Sequence, residues 1–356
     1  MSAAFFGGTP AGNPEGNEHL IAAMLQQTLN QRRIQAIVAL AWNGPQLWAF
    51  SCSLGFGVAP ERVERMAGAL ALAAGADNCR VARTPGKVLI EIPKPPQLRK
   101  MLAPERMDAL TPRNSASVAV GVATGGKAVW LDLSDPNACH VAIGGATGSG
   151  KSVLLHWILY RLARQNAPRA MRMLLLDPKG YELAPFAHLP HLVHRVTSDP
   201  SEIARLLESV SLELDRRAAT WQTNPRLIVV IDEVKDLVAI DGRIASSMAR
   251  IAQIGRALGV TLIVSTQQPG GKSLGEALPN LPARLVGRVS SATLTYGATG
   301  RSRTMADALL GKGDFLLLTA GGGITRLQVP LIGEQQLRQL PYAEKVSMFE
   351  PESTFV

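Results

Sequence analysis

A glycine-rich run separates an apolar stretch from an amphipathic one in "VAIGGATGSGKSVLLHWILY", residues 141–160. Glycine weakens both strands and helices, so glycines at such a boundary serve the path of the backbone. The spacing Gly145-x-x-x-x-Gly150-Lys151-Ser152 fits the phosphate-binding loop pattern, with a strand before it and a helix after it. The alternative is a glycine-rich turn with a chance lysine, and the register of strand, loop and helix argues against it.

This loop predicts a site for ATP and Mg²⁺. Its backbone N–H groups would face the phosphates, helped by the partial positive charge of the helix N-terminus. Lys151 would reach the β- and γ-phosphates, and the Ser152 hydroxyl would bind Mg²⁺. We expect nucleotide contacts along the whole loop, at Gly145, Ala146, Thr147, Gly148, Ser149, Gly150, Lys151, Ser152 and Val153.

A second apolar run, "LIVVIDE" (residues 227–233), ends in two acids. Asp232 would emerge at the carboxyl end of a buried strand, where open α/β sheets bind ligands. It would hold Mg²⁺ through water together with Ser152, and Glu233 would polarise the attacking water as a general base. Such runs are common, but one that follows a phosphate-binding loop predicts the second half of a nucleotide site.

Two more strand ends are polar and stay ambiguous by sequence alone. "VTLIVSTQQP" (residues 260–269) ends in side chains that would lie beside the γ-phosphate, or in an ordinary proline turn. Asp177-Pro178-Lys179 is ambiguous in the same way, since an aspartate before a proline often only starts a turn.

Composition narrows the class of protein. The 356 residues carry a formal net charge of +9, which favours a polyanionic partner, although basic proteins without one are common. Arginine outnumbers lysine, which suits bidentate phosphate contacts. The three cysteines have no spacing that supports zinc or a disulfide framework. With no apolar run of about 18 residues and no signal peptide, we expect a soluble, cytoplasmic protein with no membrane segment.

The apolar pattern predicts an α/β fold in two domains. The first is a small ββαββ unit with a hairpin at Asn43-Gly44-Pro45 and a helix from Pro60 to about Ala76. The second alternates strands and helices, as a mostly parallel sheet does, and closes with a hairpin. We expect a flexible tail over residues 1–16, the small domain over 17–93 and a linker over 94–115. The large domain is expected over 116–335 and a C-terminal tail over 336–356.

Several motifs carry a family resemblance: "HVAIGGATGSGKS", "LLLDPKGYEL", "VVIDEVKDL", "GRALGV", "STQQP", "RVSS" and "LLGKGDFLL", in that order. Over roughly residues 120–335 the chain resembles the FtsK/SpoIIIE family of DNA-pumping P-loop ATPases, within the HerA/FtsK group. The ββαββ unit resembles the α-subdomain that caps the family's motor ring. The resemblance implies a RecA-like fold, a homo-oligomeric ring that is hexameric and threaded by double-stranded DNA, and ATP sites between neighbours.

The resemblance also implies roles for three further residues. Gln267 matches the sensor of the γ-phosphate. Arg256 in "GRALGV" matches an arginine that enters the neighbour's ATP site in related conjugation motors, and Arg288 in "RVSS" is the second candidate. Arg256 is also compatible with a surface ion pair.

The sequence departs from the family pattern at two places. Gln268 stands where the family usually has arginine, and "RRAATWQTNPR" (residues 216–226) is shorter than the segment that helps to form a DNA-gripping loop in larger motors. Candidates for contacts to DNA phosphates are Arg216, Arg217 and Lys272, each equally well a solvated surface charge.

We therefore expect an ATP-driven translocase of double-stranded DNA that works as a ring motor without a membrane anchor or a winged-helix sequence reader. Within the same class, a genome-packaging or conjugative DNA-transfer ATPase of a virus or mobile element is the alternative. A protein-secretion ATPase of the type VII kind is a rival from another class. A degenerate module that only binds partners is a further rival, and intact Lys151, Asp232 and Glu233 argue against it.

Overall fold

The computed structural model describes residues 17–84, 86–270, 274–302 and 304–343. The chain divides into two units, Met1–Met101 with Thr124–Gly126, and Leu102–Ala123 with Lys127–Val356. The tail predicted over residues 1–16 lies outside the described residues.

The smaller unit is a four-stranded antiparallel sheet with helices. Its elements are α1 (Asn17–Gln31), β1 (Ala36–Asn43), β2 (Leu47–Leu54), α2 (Pro60–Glu64), α3 (Ala67–Ala73), β3 (Arg80–Thr84) and β4 (Lys87–Pro93). The strand order is β1-β2-β4-β3. Leu25 and Leu29 of α1 pack with Phe50 and Ile90 of the sheet in one apolar core. The helix expected from Pro60 is divided, because the N–H of Met66 bonds three residues back to Val63 and tightens the last turn of α2.

The larger unit is built on a nine-stranded sheet of described residues. Its strands are β5 (Ser117–Ala123), β6 (Ala128–Asp132), β7 (Val141–Gly144), β8 (Met171–Leu176), β9 (Arg226–Ile231), β10 (Val260–Thr266), β11 (Ala283–Val286), β12 (Asp314–Leu318) and β13 (Ile324–Gln328). Its α-helices are α4 (Pro104–Asp108), α5 (Lys151–Gln165), α6 (Pro200–Thr220), α7 (Val234–Ile240), α8 (Gly242–Ile254), α9 (Ala292–Thr299) and α10 (Glu334–Leu337).

The sheet is mixed, in the order β6-β5-β13-β12-β11-β7-β10-β9-β8. The strands from β11 to β8 run parallel, whereas β12, β13, β5 and β6 pair antiparallel. The predicted α/β class with a small preceding domain is confirmed. The sheet is less parallel than expected, because two hairpins, β5–β6 and β12–β13, extend one side of it.

The carboxyl ends of the parallel strands meet at one edge of the sheet, which we call the carboxyl edge. Thr266 pairs with Gly144, and Leu176 pairs with Ile231. These strands are buried along nearly their whole length, as continuous apolar runs in a parallel sheet are. The segments that follow β7, β8, β9 and β10 therefore lie side by side at the carboxyl edge.

Described residues of the predicted linker and of the predicted C-terminal tail form hydrogen bonds within the larger unit. α4 falls within the predicted linker, and its Asp108 accepts hydrogen bonds from Arg161 of α5. Within the predicted C-terminal tail, Gln339 accepts a hydrogen bond of 3.2 Å from Tyr160, and the N–H of Ala343 bonds to the carbonyl of His188 at 2.9 Å. None of the described helices is long and apolar enough to cross a membrane.

Candidate active site

The glycine-rich segment forms the loop between β7 and α5. β7 ends at Gly144, and α5 begins at Lys151, directly after Gly150. Gly150 has a φ of 99°, in the left-handed region that strains any residue with a side chain. The first N–H groups of α5 have no carbonyl partner within the helix, so this N-terminus can receive the oxygens of a phosphate.

A buried polar cluster lies beneath this loop. Lys151 is only 8 % exposed, and its Nζ donates to Oδ1 of Asp232 and to Oγ of Ser265, both at 2.7 Å. The Ser265 hydroxyl donates in turn to Asp232 Oδ1 at 2.5 Å. The cluster thus joins the loop to the ends of β9 and β10, the strands whose last residues meet at the carboxyl edge.

Asp232 keeps one oxygen without a partner. Its Oδ2 is buried and makes no hydrogen bond, although Oδ1 accepts two. A buried carboxylate oxygen in this state suits a cation, and Mg²⁺ takes oxygen ligands while it keeps several waters. The half-buried Ser152, next to Lys151, supplies the second oxygen that can hold a divalent cation.

Glu233 is held from two sides at the carboxyl edge. It is 4 % exposed, and its backbone is left-handed with a φ of 44°. Its Oε1 accepts from the Thr266 hydroxyl and from the N–H of Gln267, both at 3.2 Å. Its Oε2 lies 3.5 Å from Nζ of Lys179. The carboxylate of the expected base is therefore fixed by the ends of two other strands.

The segment that begins at Asp177 is both a turn and part of this site. The buried carboxylate of Asp177 accepts from the N–H groups of Lys179, at 3.0 Å, and Leu183, at 2.9 Å. This turn directs the Lys179 side chain to Glu233. Burial opposes the charged form of Lys179, but Glu233, Tyr181 and Asp232 together outweigh it and raise the pKa of Lys179. Sequence reasoning left this lysine unassigned.

Ser265 was also without a predicted role. The sequence indicates a role for Ser265 only through a hydroxyl side chain at the end of an apolar strand. That indication is weak until the neighbouring strand is known. The Gln267 side chain, the expected sensor, is exposed at the carboxyl edge. Gln268, at the departure from the family pattern, accepts a hydrogen bond of 2.9 Å from Lys235.

Comparison with known proteins identifies the family. The model of the FtsK alpha domain matches residues 12–95, and that of the FtsK/SpoIIIE family matches residues 97–223. Curated relatives include the DNA translocase SftA of Bacillus subtilis, 32 % identical over 88 % of this chain and 36 % of that protein. The DNA translocase FtsK of Halalkalibacterium halodurans is 30 % identical over 90 % of this chain and 45 % of that protein.

The chain belongs to the FtsK/SpoIIIE family. It spans less than half the length of these two relatives, at 36 % and 45 %. Among solved structures, the pCW3 conjugation coupling protein TcpA with ATPγS aligns with a TM-score of 0.58 and 20 % identity, over 89 % of this chain and 96 % of that one. The cytoplasmic domain of the Thermomonospora curvata type VII secretion ATPase EccC aligns with a TM-score of 0.59 and 23 % identity, over 69 % and 34 %. At these identities the structures establish the shared fold.

The two arginines singled out by the FtsK/SpoIIIE resemblance lie at different places. Arg256 is exposed in the 3-10 helix Gly255–Leu258, which precedes β10 at the edge opposite the carboxyl edge. Since β10 spans Val260–Thr266, roughly 20 Å separates its two ends. Arg288 follows β11, and its carbonyl accepts from the N–H of Ala146 in the phosphate-binding loop at 2.8 Å.

The three residues expected to contact DNA differ in accessibility. Arg217 is 1 % exposed, and its guanidinium donates to Glu213 at 2.6 Å and to the carbonyl groups of Leu258, at 2.8 Å, and Pro225, at 2.7 Å. We therefore withdraw Arg217 as a DNA contact, because its donors are already used inside the protein. Arg216 is paired with Glu213 but has a 36 % exposed side chain. Lys272 lies outside the described residues.

Proposed function

We propose that this chain is an ATPase that moves double-stranded DNA and hydrolyses ATP at the carboxyl edge of the larger unit. The observation that carries this proposal is the buried contact of Lys151 with Asp232 and Ser265, beside an independently held Glu233. A lysine, a cation-binding carboxylate and a base at the end of a glycine-rich loop are the groups that transfer of a phosphoryl group to water requires.

Each group has a defined task in this proposal. The phosphates of ATP lie at the N-terminus of α5, where Lys151 exchanges Asp232 for a β/γ-phosphate oxygen. Ser152, and Asp232 through water, would hold Mg²⁺, which would supply positive charge to the phosphates when bound. Glu233 accepts a proton from the water that attacks the γ-phosphorus, and the bond to the β-phosphate oxygen breaks. Gln267 contacts the γ-phosphate from the adjacent strand end.

We further propose that the active form is a homo-oligomeric ring, with Arg256 acting on the ATP site of a neighbouring subunit. Its distance from its own phosphate-binding loop, about the length of β10, supports action in trans rather than in cis. Arg288 borders its own loop and is the weaker candidate for this role. An arginine supplied in trans stabilises charge on the transferred phosphoryl group and couples hydrolysis to the contact between subunits.

Double-stranded DNA is the substrate that we propose. The curated relatives are named DNA translocases, and a net charge of +9 suits a polyanion. Arg216 and Lys272 stay candidates for phosphate contacts. The cytoplasmic location expected from the sequence also stays a prediction.

The proposal is tested by ATP hydrolysis in the presence and absence of linear duplex DNA, followed by displacement of a triplex-forming strand from that DNA. We expect duplex DNA to stimulate hydrolysis, and triplex displacement to require both ATP and Lys151. Hydrolysis stimulated by peptide and not by DNA would support the protein-secretion alternative. Unchanged hydrolysis by Lys151→Ala would remove the site from the reaction.

A further inference from the structure

We propose that a three-residue turn, Gly311-Lys312-Gly313, sets the conformation of the phosphate-binding loop and thereby the affinity for nucleotide. We call it the GKG turn. It immediately precedes β12, on the antiparallel side of the sheet, and acts through the loop backbone. The inference rests on the proposed function, because it concerns positioning of the same nucleotide site.

Two backbone hydrogen bonds join the GKG turn to the loop. The N–H of Lys312 donates to the carbonyl of Gly148 at 2.9 Å, and the N–H of Gly313 donates to the carbonyl of Ser149 at 2.8 Å. In a trans peptide the C=O and the following N–H point in opposite directions. By holding the carbonyl of Ser149, the turn therefore directs the N–H of Gly150 away from itself, which fixes one of the loop's donors.

The approach of the two backbones is too close for side chains. A Cβ added to Gly150 would lie 2.6 Å from the nitrogen of Gly313, and a Cβ added to Gly311 would lie 3.0 Å from the carbonyl oxygen of Gly148. The three residues of the turn have φ values of 76°, 49° and 90°. Three successive left-handed residues, one of them a lysine, persist only where surrounding contacts determine them, and such residues cluster at functional sites.

The hairpin β12–β13 supplies those contacts. Asp314 and Arg326 form a buried pair with two hydrogen bonds, at 2.9 and 2.6 Å, and Asp314 also accepts from the N–H of Leu310 at 2.8 Å. Nε2 of Gln328 donates to the carbonyl of Lys312 at 3.1 Å. The GKG turn is therefore anchored on both sides, and the antiparallel side of the sheet holds the loop that follows a parallel strand.

The test compares two glycine-to-alanine variants of the full chain. Both strain the backbone, but only one places a Cβ against the phosphate-binding loop. Gly311→Ala introduces a Cβ against the loop, whereas Gly322, with a φ of 94° in the turn after β12, has nothing within 4 Å of the added Cβ. We expect Gly311→Ala to weaken binding of a fluorescent ADP derivative roughly tenfold or more, because small displacements of positioning groups have large effects. Gly322→Ala should change the affinity for ADP by less than about twofold, although its melting temperature should fall about as much as that of Gly311→Ala.

A second variant covers the case in which Gly311→Ala does not fold. Gln328→Met removes the bond to the Lys312 carbonyl without backbone strain, and it should also weaken ADP binding while the melting temperature stays within the range of Gly322→Ala. Wild-type affinity for ADP in every folded variant of the turn would overturn the role of the GKG turn without contradicting the proposed nucleotide site. Failure of the wild-type chain to bind the ADP derivative would instead overturn the proposed function, and the role of the turn with it.

Discussion

The ammonium group of Lys151 lies 2.7 Å from Oδ1 of Asp232, and both side chains are almost completely removed from solvent. In the absence of nucleotide each charge thus neutralises the other. In the proposed reaction, ATP would replace one partner of Lys151 with phosphate and leave Asp232 free to bind a cation. The pair therefore links stability of the free protein to occupancy of the site.

We predict that Lys151→Ala loses nucleotide binding and also lowers the free energy of unfolding by about 3–5 kcal/mol, because Asp232 stays buried without its counterion. The double variant Lys151→Ala/Asp232→Ala should regain part of that stability and none of the binding. Urea denaturation of the two single variants and the double variant measures the coupling. Strictly additive losses of stability would show that the two charges are not coupled.

Glu233→Gln should bind ATP with near wild-type affinity and hydrolyse it about 10²–10⁴-fold more slowly, because only the proton acceptor is lost. The amide oxygen can still accept from Thr266 and Gln267, so the fold is retained. Single-turnover hydrolysis and nucleotide titration separate the two effects. The exposed Glu334→Gln is the matched control and should behave as wild type. Hydrolysis by Glu233→Gln at the wild-type rate would exclude Glu233 as the base.

Mixed assemblies distinguish an arginine that acts in trans from one that acts in cis. Arg256→Ala subunits keep Glu233, and Glu233→Gln subunits keep Arg256, so mixing them should restore hydrolysis at interfaces that combine the two intact residues. Arg288→Ala mixed with Glu233→Gln should show no such recovery if Arg288 acts within its own subunit. Absence of recovery in the Arg256 mixture, with mixed assembly demonstrated, would contradict the trans role.

Two adjacent arginines of α6 should respond differently to substitution. Arg217→Met should lower the free energy of unfolding by about 1–3 kcal/mol, because Glu213 loses one of its two arginine partners and the buried carbonyl group of Leu258 loses its donor. Arg216→Ala should instead weaken DNA binding similarly for all sequences and reduce the slope of log affinity against log salt by about 1. Thermal melts and DNA titrations at several salt concentrations test both outcomes. An unchanged salt slope would remove Arg216 from the DNA contacts.

We predict that the free energy of unfolding decreases as the pH falls, because of the titration of His140. Burial, with a smaller effect from the charge of Arg256, lowers the pKa of His140 from 6.5 to about 4. Between these values the unfolded chain binds a proton that the folded chain does not, so stability is complete above about pH 6.5 and declines towards pH 4. The full loss is about 3 kcal/mol.

His140→Asn tests this dependence. Nδ1 of His140 accepts from the N–H of Leu262 at 3.0 Å, and the asparagine Oδ1 can replace that acceptor without titrating. Urea unfolding at pH 7 and pH 5 should show a smaller difference for the variant than for the wild type. An identical pH dependence in both proteins would rule out His140 as its source.

The sequence by itself determined the loop, the two acids and the α/β class. The phosphate-binding loop can be predicted from sequence because it needs glycines, one lysine and one hydroxyl residue at fixed spacings. Asp232 and Glu233 can be predicted because the uninterrupted apolar run before them indicates a buried strand, which places them at its end. The position of Arg256 shortly before β10 also follows from its place along the chain.

Only the tertiary structure decided which distant residues complete the site. Ser265 contacts Lys151 and Asp232 because β10 lies between β7 and β9, and Lys179 reaches Glu233 because β8 is the next strand. The same holds for the GKG turn, and for Arg217, whose basic side chain is used inside the protein. Local patterns specify strands and turns, but strand order arises from packing of the whole sheet, so contacts that depend on strand order are not encoded in any short segment.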